Sequence, residues 1–486
     1  GIVNNIDSEI SDFLEKTIIN VTHPPQWVDK SFLFAQVSSV LVFSAAVGAF
    51  LSGLLADAIG RRNTLIANNS LAILGAILSS LCLVANHPAL LYVGRVFSGL
   101  NSGISIGVAS IYLMEIAPRK FRGGIGACHQ LAVTLGILIA YIVTLSALLK
   151  PGGKWPIAIG LGAIPAAISL VVFPFFPESA RFLYLIKGRE DDARKAFQRI
   201  NSGEDVDVFL AEMREERDVA LSQPKFRFIQ LFKQRDLRMP VLIAVLIQVL
   251  QQFSGINAVI ANSSIMMKAA GVQPSQVEFC VLGIGILNVV CTIVAILFLE
   301  KAGRRPMLLW PTIVMAGTLL LLTIIVSIGI SKPLTEQAPF AATSIFLIFA
   351  FVACFAVGLG PIPAMIVSEI FRQGPRGAAY SLSQSIQWLC NLIVLFSFPT
   401  LNRLMQGYVY LPFLVIVLVC WAFFFLFMPE TKNRSFDEVA RDLAFGTIVV
   451  GRRSAAIQTP VFTKGDEVSP DSGSLLRDSH ALKAKE

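Results

Sequence analysis

The sequence predicts an all-α integral membrane protein, and three observations carry that prediction. Hydrophobic residues make up 55% of the 486-residue chain and charged residues 15%, with a mean hydropathy of +0.68, whereas a soluble domain runs at about 45–50% apolar and about 25% charged. The apolar residues gather in runs long enough to cross a bilayer. The two halves of the chain also repeat the same charged motifs at nearly one spacing.

This composition excludes a disordered chain, a coiled coil and a disulfide-rich secreted domain. The net charge is +8, yet no basic stretch carries the aromatic residues needed for stacking or base readout, so nucleic acid is not an expected partner.

In chain order the apolar runs cover residues 31–56, 64–86, 89–117, 125–149, 155–177, 240–267, 277–299, 306–331, 341–368, 378–401 and 408–428. Each of these eleven runs is long enough for a hydrocarbon core of roughly 30 Å at about 1.5 Å per helical residue. None shows the period-two alternation of a membrane strand. Residues 1–30 carry Asp7, Glu9, Asp12, Glu15 and Lys16 and no apolar signal-peptide core. Residues 31–177 are read as a first helix bundle, the charged, helix-prone stretch 178–238 as a loop, and residues 239–430 as a second bundle. Residues 431–486 are read as a tail, disordered from about 446, where Ser, Lys, Asp and Gly leave little to bury.

Lys and Arg in the short loops set the orientation. One alternate set of loops holds Arg61, Arg62, Arg119, Lys120, Arg122, Lys301, Arg304, Arg305, Arg372 and Arg376; the other holds only Lys150, Lys154, Lys268, Lys332 and Arg403. The richer set is expected in the cytoplasm, together with the long loop and the tail, and residues 1–30 are expected outside. The pattern Asn20-Val21-Thr22 falls in that outer segment and makes Asn20 the expected glycosylation site. All seven cysteines lie in the runs, where they read as packing residues. Neither they nor the four scattered histidines have metal-ligand spacing.

The repeat is carried by three ordered motifs. Asp57-Ala58-Ile59-Gly60-Arg61-Arg62 is matched by Glu300-Lys301-Ala302-Gly303-Arg304-Arg305, an offset of 300 − 57 = 243. Glu115-Ile116, seven positions before Arg122-Gly123, is matched by Glu369-Ile370, seven before Arg376-Gly377; the offset is 369 − 115 = 254. Pro177-Glu178-Ser179 is matched by Pro429-Glu430-Thr431, with 429 − 177 = 252. Acids and arginines at one end of neighbouring helices can clip those helices together. Their duplication points to a cytoplasmic gate of ion pairs drawn from Asp57, Arg61, Arg62, Glu115, Arg122, Glu178, Arg181, Glu300, Arg304, Arg305, Glu369, Arg376 and Glu430. A total of about 1–3 kcal/mol suffices to bias such a two-state element.

These motifs resemble the sugar porters of the major facilitator superfamily, above all the facilitative glucose transporters, over about residues 1–445. Gly53-Leu54-Leu55-Ala56-Asp57 through Arg62, Pro177-Glu178-Ser179-Ala180-Arg181-Phe182-Leu183, Gln251-Gln252-Phe253-Ser254-Gly255-Ile256-Asn257, Gly360-Pro361-Ile362-Pro363 and Pro429-Glu430-Thr431-Lys432 carry the resemblance. It implies two six-helix bundles in the plasma membrane with both ends in the cytoplasm. Gly1-Ile2-Val3-Asn4 resembles the end of the family's first helix, so that helix is expected to be largely missing and eleven complete spans to remain.

A sugar offers many hydroxyls and no charge, and amide side chains both donate to and accept from hydroxyls. Within the runs, Gln130 and Thr134 are four apart, Gln248, Gln251 and Gln252 lead into Ser254-Gly255 and Asn257, Asn288 and Thr292 are four apart, and Gln384, Gln387, Trp388 and Asn391 share a helical face. Polar residues in spans are costly and tend to be functional. The competing explanation is ordinary helix–helix hydrogen bonding, at about 0.6–2 kcal/mol each. The resemblance implies sugar contact at Gln130, Gln251, Gln252, Asn257, Asn288, Trp388 and Asn391. It also implies broken helices at Ser254-Gly255 and Gly358-Leu359-Gly360-Pro361-Ile362-Pro363. Ala364 and Gln248-Val249-Leu250 resemble the fructose-handling members rather than the glucose-selective ones, and Ile260-Ala261-Asn262 lacks the aromatic residues of the latter.

The expected activity is therefore facilitative transport of a hexose, glucose or fructose, by alternating access of two bundles. Arg95, inside a span, keeps proton-coupled sugar symport open, because the matching arginine in proton-coupled members pairs with a carboxylate on the first helix. A non-transporting sugar sensor is the third alternative. No nucleophile–base pair, metal set or phosphate loop points to an enzyme or a cofactor.

Overall fold

The computed structural model describes residues 6–19, 30–118, 122–145, 148, 154–201, 203, 205–222, 228–257, 259, 273–333, 338–371, 373–432, 434, 438–439 and 442–443. Asn20, the segment 260–262 and the tail beyond 443 lie outside the described residues.

Helix is the regular secondary structure found among those residues. A short helix α1 (Asp7–Leu14) comes first, then the long α2 (Lys30–Ile59), α3 (Arg61–Leu81), α4 (Pro88–Ile116) and α5 (Arg122–Val143). The next span is split into α6 (Trp155–Gly160) and α7 (Ala163–Val172). The charged stretch forms α8 (Ala180–Leu185), α9 (Glu190–Ile200), α10 (Val206–Ser222) and α11 (Gln230–Lys233). The second half contains α12 (Arg238–Phe253), α13 (Pro274–Ala302), α14 (Arg304–Ile330), α15 (Ala338–Val357), α16 (Ile362–Ile370), α17 (Gln373–Met405) and α18 (Leu411–Phe427). Proline opens α4 and α13, where the missing N–H costs nothing because the first helical amides have no intrahelical partner.

Within the first half, α4 packs against α2 and α3; within the second, α14 packs against α15 and α18, and α12 against α17. The halves meet where α2 lies on α17 and α5 on α13. The α2–α4 contact is backbone to backbone. A Cβ added at Gly103 would come within 2.0 Å of the Ala45 carbonyl oxygen, so only glycine allows that approach. One large core cluster belongs to the second half, including Ile247, Phe351, Tyr380 and Phe424, and takes Tyr141 from α5. In the first half, Ile10 and Leu14 of α1 pack with Leu91 and Trp155, while Leu65, Val108 and Tyr112 form a separate cluster.

Large apolar side chains also stand exposed on the outer faces, Trp310 at 72%, Phe346 at 71% and Leu404 at 75% among them. Water does not tolerate so broad an apolar surface, but hydrocarbon does. Ten helices among the described residues are long and apolar enough to cross a membrane, one fewer than the eleven expected. The difference is the run 240–267. Its helix α12 stops after 16 residues at Phe253, where the Ser254 hydroxyl turns back onto the Gln251 carbonyl at 2.7 Å and Gly255 takes φ +91°. Hydropathy averages straight through such a break.

Candidate functional site

Two polar constellations stand out, one at the Gly-Arg-Arg end of the helices and one between the halves.

At the Gly-Arg-Arg end the two halves build the same clasp twice. In the first half the Arg61 guanidinium forks onto Glu115, Nε to Oε2 at 3.0 Å and Nη2 to Oε1 at 3.3 Å, and Nη1 reaches Asp57 at 3.1 Å. Glu178 accepts the backbone N–H groups of Arg61 and Arg62 at 2.9 and 3.0 Å, capping the start of α3. In the second half Arg304 reaches Glu369 through Nε at 3.2 Å and Nη2 at 3.1 Å. Glu430 accepts the N–H groups of Arg304 and Arg305 at 3.0 and 3.1 Å, capping α14. A carboxylate at a helix N-terminus satisfies unpaired amides and meets the positive end of the helix dipole. The chain enters both helices through a glycine at positive φ, Gly60 at +101° and Gly303 at +88°. A Cβ there would come within 2.4 Å of Glu178 Oε2 or 2.6 Å of Glu430 Oε2.

Each of these clasps closes within its own half. Arg62 donates to the Phe176 carbonyl at 3.0 Å and Arg305 to the Phe425 carbonyl at 2.8 Å. Arg181 pairs with Glu216 of α10 rather than with Glu178, because α8 turns it toward the charged segment. Arg376 folds back onto the Phe371 carbonyl at 3.2 Å. The side chains of Arg122 and Glu300 lie outside the described residues. The charged segment docks on the first half: Lys187 donates to the Ala58 carbonyl at 3.0 Å, and the Arg61 guanidinium lies 5.0 Å above the Phe182 ring. Within that segment Glu190 hydrogen-bonds Arg214 at 2.5 Å, which pushes the arginine's pKa up, with Tyr184 adding to the effect.

The second constellation is made of amides. Gln251 Nε2 donates to the Leu359 carbonyl at 2.7 Å, and Gln387 Nε2 donates to Gln251 Oε1 at 3.1 Å. Gln252 Nε2 lies 3.4 Å from the same Oε1, and Asn257 Nδ2 donates to Gln252 Oε1. From the other half, Gln130 reaches the same place: a Cβ on Gly360 would sit 3.3 Å from its Nε2. The structure thus brings together Gln130, Gln251, Gln252 and Asn257. It does not join Asn288, Trp388 or Asn391 to them by direct hydrogen bonds among the described residues. Instead Asn288 Oδ1, Trp388 Nε1 and Asn391 Oδ1 are each buried without a partner there. A buried polar atom left unpaired costs about 1–3 kcal/mol.

Two further pairs escape a residue-by-residue reading. Gln387 belongs to a polar stripe but does more than line it, since it holds Gln251. Gln248 Nε2 donates to the Ser383 hydroxyl at 2.9 Å, with both residues buried. A signal existed for the Leu359 contact: Pro363 has no N–H to offer a carbonyl four residues earlier. A groove of about 500 Å³ between α13 and α15, lined by Leu287, Phe346, Phe349 and Ala353, contains none of these amides and is apolar. It is a membrane-face groove and not the polar site.

The model of the family described as "Sugar (and other) transporter" matches residues 5–443. The chain belongs to that family. Sugar transporters of this kind are multi-pass membrane proteins that move a solute and do not transform it, so the chain is not an enzyme. It is 39% identical over 405 residues to the human solute carrier family 2 facilitated glucose transporter member 4, covering 83% of this chain and 78% of that one. It is 36% identical over 423 residues to the pig facilitated glucose transporter member 2, covering 87% and 78%. Among solved structures it resembles the major facilitator superfamily proton:xylose symporter XylE bound to 6-bromo-6-deoxy-D-glucose. The TM-score is 0.75 at 22% identity, over 91% of this chain and 96% of that one. The fold is therefore that of the major facilitator superfamily.

Proposed function

We propose that this protein is a facilitative hexose transporter, taking glucose, fructose or both, that works by alternating access of its two halves. One observation carries the reading: amides from both halves, Gln130 on α5 and Gln251 on α12, converge on the break between α15 and α16. A neutral, hydroxyl-rich ligand suits that set, because each amide both donates and accepts. The proposed contact residues are Gln130, Gln251, Gln252, Asn257, Asn288, Trp388 and Asn391. The likeness to facilitated glucose transporters supports the substrate class.

The Gly-Arg-Arg end is proposed as the cytoplasmic side, on the strength of its ten Lys and Arg against five on the other, with the C-terminus there and the plasma membrane as the location. The two clasps serve as braces that keep each half rigid while it moves. Saturable uptake of labelled hexose into proteoliposomes containing the full-length protein is the expected result; no saturable uptake of any hexose sinks the reading.

A second reading, proton-coupled symport, rests on Arg95. It is buried within α4, and its Nε has no partner among the described residues. A pH gradient that drives hexose accumulation above equilibrium favours symport, and one that does not excludes it.

A further inference from the structure

We propose that residues 228–238, the last part of the charged stretch, are a membrane-surface anchor for phospholipids of the leaflet at the Gly-Arg-Arg end. Apolar side chains of α11 and its approach sit among the acyl chains, and three basic residues hold headgroup phosphates. This goes beyond the transport reading, and no part of it depends on which solute is carried.

The segment reads Phe228-Ile229-Gln230-Leu231-Phe232-Lys233-Gln234-Arg235-Asp236-Leu237-Arg238. Ile229 is 61% exposed, Phe232 51% and Phe228 38%. Leu231, on the same turn, is fully buried and belongs to the core of the second half. One side chain therefore roots α11 in the protein, while its other large apolar side chains face outward. A cluster of exposed aromatic and aliphatic side chains marks a contact surface.

Depth identifies what surrounds it. Phe43, Val47, Phe50 and Leu54 are all exposed on α2 and fall at helical spacing, so they form one stripe. Such a stripe on a spanning helix faces hydrocarbon. The Phe228 ring stands edge-on to Phe50 with centroids 5.7 Å apart, and Phe232 follows at 6.0 Å from Phe228. Phe50 lies seven residues before Asp57, the exposed carboxylate near the end of the same helix, which is about 10 Å of axial rise. Phe228 thus reaches the level of the lipid-facing stripe. Amphipathic segments that lie in a bilayer surface bury their apolar face to a similar depth, about 5–10 Å.

The charges fit the same partner. Earlier in the charged stretch, arginines are neutralised by acids of that stretch: Arg181 by Glu216, Arg194 by Asp207 and Arg214 by Glu190. Lys233, Arg235 and Arg238 are exposed, follow directly on the apolar turn and have no ion-pair partner among the described residues; the one acid between them is Asp236. Long basic side chains at such a boundary keep their stems in apolar surroundings and carry their charge out to the phosphates. The anchor also has a particular place in the fold. It is rooted in the second half through Leu231, rests on α2 of the first half through Phe228, and touches α17. Lipid that holds it therefore bears on the line where α2 meets α17.

Photo-crosslinking tests this in nanodiscs made of equal parts dioleoylphosphatidylcholine and dioleoylphosphatidylglycerol. p-Benzoylphenylalanine replaces Ile229 or Phe232 and, as a control, Glu215, an exposed charged residue of α10. After irradiation, mass spectrometry is expected to find phospholipid adducts at 229 and 232 in about tenfold or greater yield than at 215. Combining Lys233→Gln, Arg235→Gln and Arg238→Gln should cut the phosphatidylglycerol adduct at 232 about threefold or more. These substitutions alter only exposed side chains, and a monodisperse peak in size-exclusion chromatography checks that the variant folds. Yields at 229 and 232 no higher than at 215 overturn the insertion, and an undiminished phosphatidylglycerol yield in the folded triple variant overturns the headgroup contact.

Discussion

The carboxylate of Glu178 accepts the backbone N–H of Arg61 at 2.9 Å across 117 residues of sequence, and Glu430 repeats the contact with Arg304 at 3.0 Å in the other half. Each glutamate is the cap of a helix that has no capping residue of its own, since the residue before each arginine is glycine. Glu178→Ala and Glu430→Ala should therefore destabilise the protein by similar amounts, about 1–2 kcal/mol each. Melting of the two purified variants under one set of detergent conditions checks this. A large shift for one and none for the other contradicts the equivalence.

The clasps lie in separate halves and share no residue, so their loss should add. Arg61→Ala combined with Arg304→Ala is expected to equal the sum of the single effects within about 0.5 kcal/mol. Arg61→Ala combined with Glu115→Ala should depart from additivity by about 0.5–3 kcal/mol, because those two side chains form one pair. Denaturation of the single and double variants distinguishes internal braces from a lock that bridges the halves; strong coupling between Arg61 and Arg304 would indicate the lock.

Gln130 is the amide that the first half contributes to the α15–α16 break. Gln130→Ala should reduce hexose uptake about tenfold or more, the loss of roughly one to two neutral hydrogen bonds. Initial-rate uptake over a range of sugar concentrations reads it. Unchanged affinity and rate remove Gln130 from the site.

Gly103 faces the Ala45 carbonyl with no room for a Cβ. Gly103→Leu should force α2 and α4 apart, at a cost of several kcal/mol, above the roughly 1–3 kcal/mol of ordinary overpacking. Loss of the monodisperse peak in size-exclusion chromatography is the expected outcome. A variant as stable as the parent refutes the close approach.

How much of this was legible beforehand depends on the range of each interaction. That acids and arginines of the three motifs meet was readable, because motifs that recur in register imply contacts that recur; that Arg61 takes Glu115 and Arg304 takes Glu369 was not. Gly99, Gly103 and Gly107 fall four apart on one face of α4, and such small-residue spacing signals close helix packing. The caps were not readable as caps, since capping signals are sought within a few residues and Glu178 reaches its helix from 117 positions away. Arg181 stands among the expected gate residues, but its helix presents it to Glu216. Ser254-Gly255 was visible as a weak point in an apolar run, yet hydropathy alone still counted one unbroken span. The Gln251–Leu359 bond needed two facts at once, the missing N–H of Pro363 and the crossing of α12 with α16, and only the first is written in the sequence.

Because each clasp is closed on itself, neither has to break when one half tilts against the other. Contacts that do cross between the halves are soft: the Ser385 hydroxyl on the Ala46 carbonyl at 3.4 Å, and the Ser368 hydroxyl on the Met114 sulfur at 3.4 Å. Charge does the work of stiffening, and weakly polar surfaces do the sliding. Such a division lets two firm bodies exchange partners along their seam while the charges of each clasp stay paired.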